Sequence, residues 1–485
     1  MALTKPFIEK IDDWRYRIPR SFRSDMLTDV IIYSDEQMIG HILEDEAHIQ
    51  AVNVACLPGI VGSSLAMPDI HFGYGFPIGG VAAFDPDNGG IISPGGVGYD
   101  INCGVRVLRT NITFDQIKPK IKDLVYKLAS AVPSGVGSEG PLKLSKKDME
   151  NVLRNGAKWA VEHGYGVKGD IEHTEENGQM PGADPSLVSS HAKERGESQL
   201  GTLGSGNHFL EVQYVEEIYD ENVGAAFGLF KGQVTIMVHS GSRGLGHQVC
   251  TEYISLMNSA AQKYGIKLPD RQLCCAPINS EEGKSYFGAM AAAANFAWAN
   301  RQMLMHEAID SLCGVLGASR SSLGIDLIYD VAHNIAKMEK HKVGSKEKVL
   351  CVHRKGATRA FPAGRAEVPE DYRQVGQPVL IPGDMGRYSY ILVGTERAMQ
   401  ETWGSVCHGA GRLMSRARAS KEFDAASLLA KLEKDGVFVR SASRKGLIEE
   451  APGAYKDVKE VVNVVDGAGL AKKVAKMRPM GVIKG

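Results

Sequence analysis

The sequence predicts an α+β fold, one large mixed domain built around central sheets. Segments with helical and with strand periodicity alternate irregularly along the 485 residues, without the regular rhythm of a doubly wound sheet. The sequence has neither a GxGxxG after a first strand nor a Walker A GxxxxGKS/T. We therefore expect a single domain over residues 1–485 that is neither Rossmann nor P-loop.

Apolar spacing and β-branched composition place the predicted elements along the chain. Helical spacing predicts helices at residues 146–163, 282–316 and 423–434. Runs rich in β-branched residues and bounded by glycine or proline predict strands at "QVTIMVHSG" (233–241), "KVLCVHRKG" (348–356), "QPVLIPG" (377–383) and "SYILVG" (389–394). The polar segment 164–201, rich in Gly, Glu and Ser, is predicted to be a long loop or lid.

Charge and cysteine content exclude several classes of protein. The net charge of −1 gives no overall basic field, so any contact with nucleic acid has to come from a local basic patch. The eight cysteines include no CxxC pair, which argues against zinc-ribbon and thioredoxin-like sites. "MALTKPFIEKIDDWRYRIPR" lacks the apolar core of a signal peptide, and "FGAMAAAANFAWAN" is too short to span a bilayer. We expect a cytoplasmic protein with no membrane partner.

The stretch "GVGYDINCGVR" (96–106) has the composition of a ligand-binding loop. It places Asp100, Asn102 and Cys103 between glycines, which allow close approach of a ligand to the backbone. A segment with a purely structural role would carry bulky apolar residues here. The stretch therefore predicts contact with a ligand.

Four histidines lie in similarly polar, glycine-rich or Asn/Asp-containing surroundings. In "GTLGSGNHFLEV", "TIMVHSGSRGLGH", "IYDVAHNIAK" and "SVCHGAGR" they are His208, His239, His333 and His408. Together with Asp100 and Cys103 they favour a binuclear His/Cys/Asp metal site, in which a thiolate bridges two ions. Two adjacent ions favour phosphoryl transfer, because they stabilise both the entering and the leaving oxygen. The residue types leave manganese and zinc both open.

Two further segments have a functional and a structural interpretation. Asp69 and His71 in "MPDIHFGYGFPIGG" either orient metal ligands or form a plain turn. The "HRKGATRAF" stretch predicts a basic loop directly after a strand, either solvated or phosphate-binding, that carries His353, Arg354, Lys355 and Arg359.

The last part of the chain is basic. Arg412 and Arg416 are four residues apart, which predicts that both lie on one helical face that grips an RNA or triphosphate backbone. On residue type alone, the C-terminal "KMRPMGVIKG" is expected to be a frayed tail.

Seven motifs in order resemble the RtcB family of RNA ligases, which act in tRNA splicing and RNA repair. The motifs are "GGVGYDINCGVR", "GSGNHFLEV", "HSGSRGLGH", "DVAHNIAK", "HRKGATRAFPAG", "SVCHGAGR" and "GVIKG". The resemblance implies a GTP- and manganese-dependent enzyme that joins an RNA 3′-phosphate or 2′,3′-cyclic phosphate to a 5′-hydroxyl. It also implies a covalent histidine–GMP, an RNA 3′-diphosphate-guanosine and, for many members, archease as an activating partner.

The resemblance further implies a role for individual residues. Cys103 would bridge two manganese ions, which His239 and His333 complete on one side and Asp100 and His208 on the other. His408 would become guanylylated. The nucleotide would be held by Asn207, Phe209, Glu211, Asn334, Asp384, Ser389, Gly409, Ala410, Gly411, Tyr455 and Lys484. RNA phosphates would be contacted by Arg243, Lys355, Arg412 and Arg416. Asp384 stands where some members carry a small hydroxyl residue, and its carboxylate would still hydrogen-bond guanosine.

Three other interpretations stay open. A binuclear phosphodiesterase would use the same metal ligands without a nucleotide, but it requires neither His408 nor the terminal lysine. A non-catalytic RNA-binding or chaperone module would not require so many potential metal ligands. Cys407 as a nucleophile is disfavoured, because adjacent residues in an extended chain point apart and His408 would be poorly placed as its base.

Overall fold

Two large β-sheets carry most of the strands in residues 7–485, the part of the chain that this computed structural model describes. The strands are β1 (Glu9–Lys10), β2 (Arg15–Ile18), β3 (Val30–Tyr33), β4 (Ile60–His71), β5 (Ile78–Phe84), β6 (Ile91–Ile92), β7 (Gly104–Thr113), β8 (Phe209–Ile218), β9 (Gln233–Ser240), β10 (Ala276–Pro277), β11 (Asp326–Ala332), β12 (Asn334–Val343), β13 (Lys346–Lys355), β14 (Ala357–Arg359), β15 (Pro378–Ile381), β16 (Ser389–Gly394), β17 (Ser405–Cys407), β18 (Phe438–Ser441) and β19 (Ala471–Lys484).

Helices pack around and between these sheets. They are α1 (Glu36–Glu44), α2 (Ala47–Val54), α3 (Phe114–Ile117), α4 (Ile121–Ala131), α5 (Lys146–Asn155), α6 (Ala157–Glu162), α7 (Lys168–Glu172), α8 (Ser190–Gly196), α9 (Glu221–Ala226), α10 (Arg243–Lys263), α11 (Glu281–Leu316), α12 (Glu396–Glu401), α13 (Arg416–Glu422), α14 (Ala425–Lys434), α15 (Arg444–Glu449) and α16 (Val458–Gly467).

The sheets are mixed, with antiparallel pairing at most positions. One has the strand order β1-β2-β3-β4-β5-β13-β12. The other has the order β11-β7-β9-β8-β19-β16-β15, with β18 pairing in parallel to β19. Two-stranded sheets pair β10 with β6 and β14 with β17. The α+β prediction is confirmed, and the irregular strand order explains why the sequence shows no doubly wound rhythm.

Strand β9 lies in the interior of the second sheet. All eight of its residues are buried, although Gln233, Thr235, His239 and Ser240 are polar. Because successive side chains of a strand point to opposite faces, burial of every residue means that β9 is covered on both faces. The predicted strands at 233–241, 348–356, 377–383 and 389–394 are confirmed as β9, β13, β15 and β16.

Helix α11 passes through the protein core. Ser280 caps its N-terminus, since its side chain accepts a hydrogen bond from the Gly283 N–H. Gly317 caps its C-terminus with φ +66°. Its central alanines are fully buried, and their small side chains let neighbouring helices and β9 approach closely. The predicted helix at 282–316 is confirmed. The predicted helix at 423–434 is also confirmed, as α14, which begins at Ala425, two residues after the predicted start.

Two predictions for the middle of the chain need correction, one in the continuity of a helix and one in the type of structure. The expected helix at 146–163 is divided into α5 and α6 at Gly156, where φ is +57°. The expected loop at 164–201 contains α7 and α8 and lies partly in the core, with Asp170 and Glu175 buried. Asp170 pairs with the partly exposed Arg320 and Glu175 with the buried Lys337, so the segment lacks the apolar periodicity that predicts a packed element.

Within residues 7–485, no helix combines the length and hydropathy needed to cross a membrane.

Candidate active site

Several strand ends meet at one edge of the second sheet. Antiparallel pairing places the start of one strand beside the end of its neighbour, so Gly104 of β7 pairs with Ser240 of β9 and with Ala332 of β11. Likewise Phe209 of β8 pairs with His239. The residues that converge at this edge are Asp100, Cys103, His208, His239 and His333. His333 also separates β11 from β12, so the site lies where the two large sheets meet.

Within the described residues, these side chains form two groups whose donor atoms lie within 4.8 Å of one another, and Cys103 belongs to both. In the first, the Cys103 Sγ and His333 Nε2 each lie 3.2 Å from the His239 Nε2. In the second, His208 Nε2 lies 2.8 Å from an Asp100 carboxylate oxygen and 3.4 Å from Cys103 Sγ. Converging thiol, imidazole and carboxylate donors suit a transition metal ion. The residues present therefore fit a metal centre.

Burial determines how these groups ionise in the protein alone. It lowers the pKa of His239 and of His333 well below the ordinary value, so both imidazoles are neutral and have a free electron pair. It raises the pKa of the Cys103 thiol. Burial also raises the pKa of Asp100, but the contact with His208 outweighs this and holds it below the ordinary value. A bound cation would hold the thiol as thiolate.

His408 follows β17 and is held by Asp69 on β4. Its Nδ1 lies 2.5 Å from Asp69 Oδ2, which also accepts hydrogen bonds from the backbone N–H of His408 at 2.9 Å and of Gly409 at 3.3 Å. The His408 ring centre lies 5.0 Å from that of His333. Burial raises the pKa of Asp69, but the contact with His408 outweighs it and lowers the pKa. Because Asp69 lies in a strand and contacts His408, the plain-turn interpretation is wrong.

A cavity of about 450 Å³ brings most of the predicted residues together. Predicted residues in its lining are Asp100, Cys103, Asn207, Phe209, Glu211, His239, His333, Asn334, Lys355, Asp384, His408, Gly409, Ala410, Gly411, Arg412, Arg416, Tyr455 and Lys484. Three others lie behind the wall: His208 beside Asp100, Arg243 with its Nη1 3.0 Å from His208 Nδ1, and Ser389, which accepts a hydrogen bond from Gln213.

One wall of the cavity is organised by Glu450, which the sequence analysis missed. Arg416 Nε donates to its carboxylate at 2.9 Å and Arg412 Nη1 at 3.3 Å, and the Tyr455 hydroxyl bonds its other oxygen. Lys484 Nζ lies 4.0 Å away. Glu450 lies in no glycine-rich motif, so the sequence gives no signal for it.

Two groups in this wall have shifted ionisation. Burial raises the pKa of Glu211 to about 8 and lowers that of Lys484 to about 8. Near pH 7 a protonated Glu211 is able to donate a hydrogen bond into the cavity.

The structure corrects three predictions about basic segments. Arg412 and Arg416 do not share a helical face, because α13 begins at Arg416 and Arg412 pairs with Tyr455 in an isolated bridge. The C-terminus is not frayed, since β19 lies between β8 and β16 and is mostly buried. Strand hydrogen bonds on both sides hold it in place.

The third prediction, that a basic loop follows the strand, is also wrong. His353, Arg354 and Lys355 lie within β13 and are buried. Lys355 Nζ donates to the backbone carbonyls of Tyr74, Phe76 and Gly95, and burial lowers its pKa to about 7. Cys407 is fully buried as well, and burial raises its pKa, which argues further against it as a nucleophile.

The fold and the site define an α+β protein with a candidate metal centre beside a carboxylate-held histidine. Residues 50–485 match the family model described as "tRNA-splicing ligase RtcB". The chain is similar to proteins of that name from Archaeoglobus fulgidus and Thermococcus kodakarensis, each 56% identical over 478 residues and 99% of both chains. It is 53% identical to the one from Methanococcus maripaludis over 481 residues, 99% of this chain and 100% of the relative. The chain belongs to the RtcB family.

Proposed function

We propose that this protein is a GTP-dependent RNA ligase that joins an RNA 3′-phosphate or 2′,3′-cyclic phosphate to a 5′-hydroxyl, in tRNA splicing, RNA repair or both. The observation that carries the proposal is that His408, held by the buried Asp69, lines one cavity with Asp100, Cys103 and His333. Family membership and the printed names of the relatives support RNA ligation as the reaction.

His408 is the proposed nucleophile. Its Nδ1–H donates to Asp69, which leaves Nε2 with a free electron pair. Nε2 attacks the α-phosphorus of GTP, an N–P bond forms, and the bond from that phosphorus to the pyrophosphate oxygen breaks. The Asp69 carboxylate stabilises the positive charge that develops on the ring. The product is a histidine–GMP.

Two transfers complete the proposed reaction. An oxygen of the RNA 3′-phosphate attacks the phosphorus of histidine–GMP, and His408 leaves, which gives an RNA 3′-diphosphate-guanosine. The 5′-hydroxyl of the second RNA attacks the 3′-phosphorus and loses its proton, and GMP leaves as the phosphodiester forms. A 2′,3′-cyclic phosphate is first opened by water.

The donor set suits two divalent cations, for which we propose manganese. Cys103 would be shared, with His239 and His333 on one side and Asp100 and His208 on the other. Bound ions would neutralise phosphate charge that otherwise repels a nucleophile. The chain contributes preorganised donor atoms, because they lie at strand ends hydrogen-bonded within one sheet.

The cavity wall opposite the metal ligands is the proposed nucleotide site. A protonated Glu211 is suited to an acceptor on the guanine edge, and the neighbouring Lys484 contributes a donor. The proposed nucleotide contacts are Asn207, Phe209, Glu211, Asn334, Asp384, Ser389, Gly409, Ala410, Gly411, Tyr455 and Lys484. Ser389 would act from behind the wall through Gln213.

RNA phosphates are the proposed ligands of Arg243, Lys355, Arg412 and Arg416. Glu450 holds Arg412 and Arg416 side by side, which suits an anionic backbone better than two independent side chains. We also propose that residues 1–485 act as one catalytic domain in the cytoplasm, with archease as an activating partner.

The first test uses GTP labelled on the α-phosphate, with and without Mn²⁺. We expect manganese-dependent, acid-labile label on the denatured parent and none on His408→Ala. His163→Ala is the matched control, because the His163 ring bonds the Trp159 carbonyl outside the cavity, and it should be labelled like the parent.

Two outcomes would contradict the proposal. A parent that stays unlabelled with archease present, yet opens a cyclic phosphate, would be a metallohydrolase. A parent that binds no metal and takes up no label would be an RNA-binding module.

A further inference from the structure

Arg301 is a fully buried arginine in the middle of α11, among alanines and aromatic residues. A buried guanidinium is costly unless its five N–H donors find acceptors. Two of them form a fork on Asp330, Nε at 2.9 Å and Nη2 at 2.7 Å. The others donate to the backbone carbonyls of Asn102 at 2.7 Å and Ser240 at 2.9 Å, and to the Asn102 side chain at 3.0 Å. Every donor of Arg301 is therefore used.

Each acceptor lies on a segment that carries a candidate metal ligand. Asn102 directly precedes Cys103, Ser240 directly follows His239, and Asp330 lies on β11, which ends one residue before His333. His333 is tied in further, since its N–H donates to the Cys103 carbonyl at 2.9 Å. One side chain thus connects the three segments that supply the first ligand group.

The local sequence around Cys103 is shaped to this guanidinium. Asn102 has φ +51°, a left-handed conformation that asparagine tolerates better than most residues. A Cβ on Gly104 would lie 2.9 Å from the Arg301 Cζ and 2.2 Å from the Val331 carbonyl oxygen. Glycine after Cys103 is therefore required first by the Val331 carbonyl and also by the position of Arg301, not only by access of a ligand.

Arg106 provides an internal comparison. It is equally buried and donates to the same Asp330 at 2.7 Å. Its remaining donors go to Gln302, Met305 and Thr174, away from the ligand-bearing segments. Both arginines are buried and contact Asp330, but only Arg301 also donates to the backbone carbonyls beside Cys103 and His239.

We propose that Arg301 is a positioning residue of the candidate metal centre, holding Cys103, His239 and His333 at the spacing an ion requires. This inference rests on the metal site of the proposed function. Lysine at this position would keep the charge, but it has three donors and no planar fork, so it would hold only some of the contacts.

The test measures metal binding by the full-length protein without GTP or RNA. Metal-stripped parent, Arg301→Met, Arg301→Lys and Arg106→Met are titrated with Mn²⁺ by calorimetry and with Co²⁺ by absorption, where a thiolate–cobalt band reports on Cys103. We expect about 10–100-fold weaker binding and a changed band for Arg301→Met, as when residues behind metal ligands are removed. Arg301→Lys should recover part of the affinity, and Arg106→Met should bind like the parent although it also loses thermal stability.

Equal affinity of Arg301→Met and the parent overturns the inference, and so does equal weakening in the two methionine variants. If Arg301→Met does not fold, Asn102→Gly decides, because it keeps the left-handed backbone and removes one acceptor. Weaker cobalt binding by Asn102→Gly supports the inference, and parental binding overturns it. A parent that binds neither ion overturns the proposed metal site, and this inference with it, so the two failures are distinguishable.

Discussion

Individual polar side chains in this protein are positioned by several contacts each, and Asp69 illustrates this. One of its oxygens accepts from the His408 ring and from two consecutive backbone N–H groups. The backbone contacts fix the carboxylate, and the carboxylate in turn fixes the tautomer and orientation of the ring. Asp69 lies behind His408 and outside the cavity lining. Its effect on the proposed reaction is therefore separable from nucleotide binding.

Asp69→Asn is expected to slow GTP-dependent labelling of His408 about 100-fold or more, since an amide neither balances the developing imidazolium nor holds the required tautomer. Binding of GTP, measured by calorimetry, should change little. Asp87→Asn, at an exposed turn, is the control and should label at the parental rate. A parental rate for Asp69→Asn would show that the carboxylate has no part in activating His408.

At the scale of elements, two glycines in or beside helices have opposite roles. Gly156 separates α5 from α6, and a Cβ there would lie 2.1 Å from the Gly178 carbonyl oxygen. Gly40 lies inside α1, and apart from its chain neighbours and the backbone of its own helix no described atom lies within 4 Å of the position of its Cβ. Glycine at position 156 therefore allows the chain to break between two helices, whereas glycine at position 40 only lowers the stability of α1.

The same substitution should therefore shift stability in opposite directions. Gly40→Ala is expected to raise the Tm, because alanine favours a helix interior by about 0.5–1 kcal/mol. Gly156→Ala is expected to lower it, because a left-handed residue that also meets a carbonyl is strained by more than that. Thermal unfolding followed by circular dichroism measures both, and shifts of the same sign would contradict the assignment.

At the scale of the whole molecule, the partly buried Glu176 and the buried Lys337 and Arg359 join the two large sheets by charge pairing. Glu176 accepts hydrogen bonds from Lys337 of β12 and Arg359 of β14, each at 2.8 Å. Arg359 also donates to the hydroxyl of Tyr329 on β11 at 3.2 Å, which reaches the second sheet. The relative placement of the sheets, and hence of the site between them, depends on charge pairing as well as apolar packing.

This pairing predicts acid sensitivity. Burial raises the pKa of Glu176, but Lys337 and Arg359 outweigh it and lower the pKa to about 2. In the unfolded chain a glutamate has a pKa of about 4.3. The folded value is the lower one, so the stabilisation is complete above about pH 5 and is lost as pH falls toward about 2.

The Tm of the parent should therefore drop through this window, and Glu176→Gln should start from a lower Tm at pH 7 and lose less. Differential scanning calorimetry at a series of pH values measures both. An identical pH dependence of the two proteins would show that Glu176 contributes nothing to acid stability.

Much of the fold and site was accessible from the sequence because the signals are local. The β-branched residues of β9 and the apolar spacing of the long helix α11 are each visible in the local sequence. Cys103 and His333 lie in distinctive glycine- or asparagine-containing motifs. By contrast, the burial of Lys355 was not predicted, because the sequence does not distinguish a lysine bound to backbone carbonyls from one that is exposed to solvent.

By itself the sequence determined the chemistry available to this protein: the types of donor, the nucleophile candidate, the family and the main elements. Only the tertiary structure decided which groups meet. Asp69 and His408 are 339 residues apart, and Arg301 lies 199 residues from Asn102. Such contacts arise from strand pairing and helix packing between distant segments, which leave no periodic or motif signal in either segment. The site depends on the fold for its geometry, because each of its segments needs the others to be held in place.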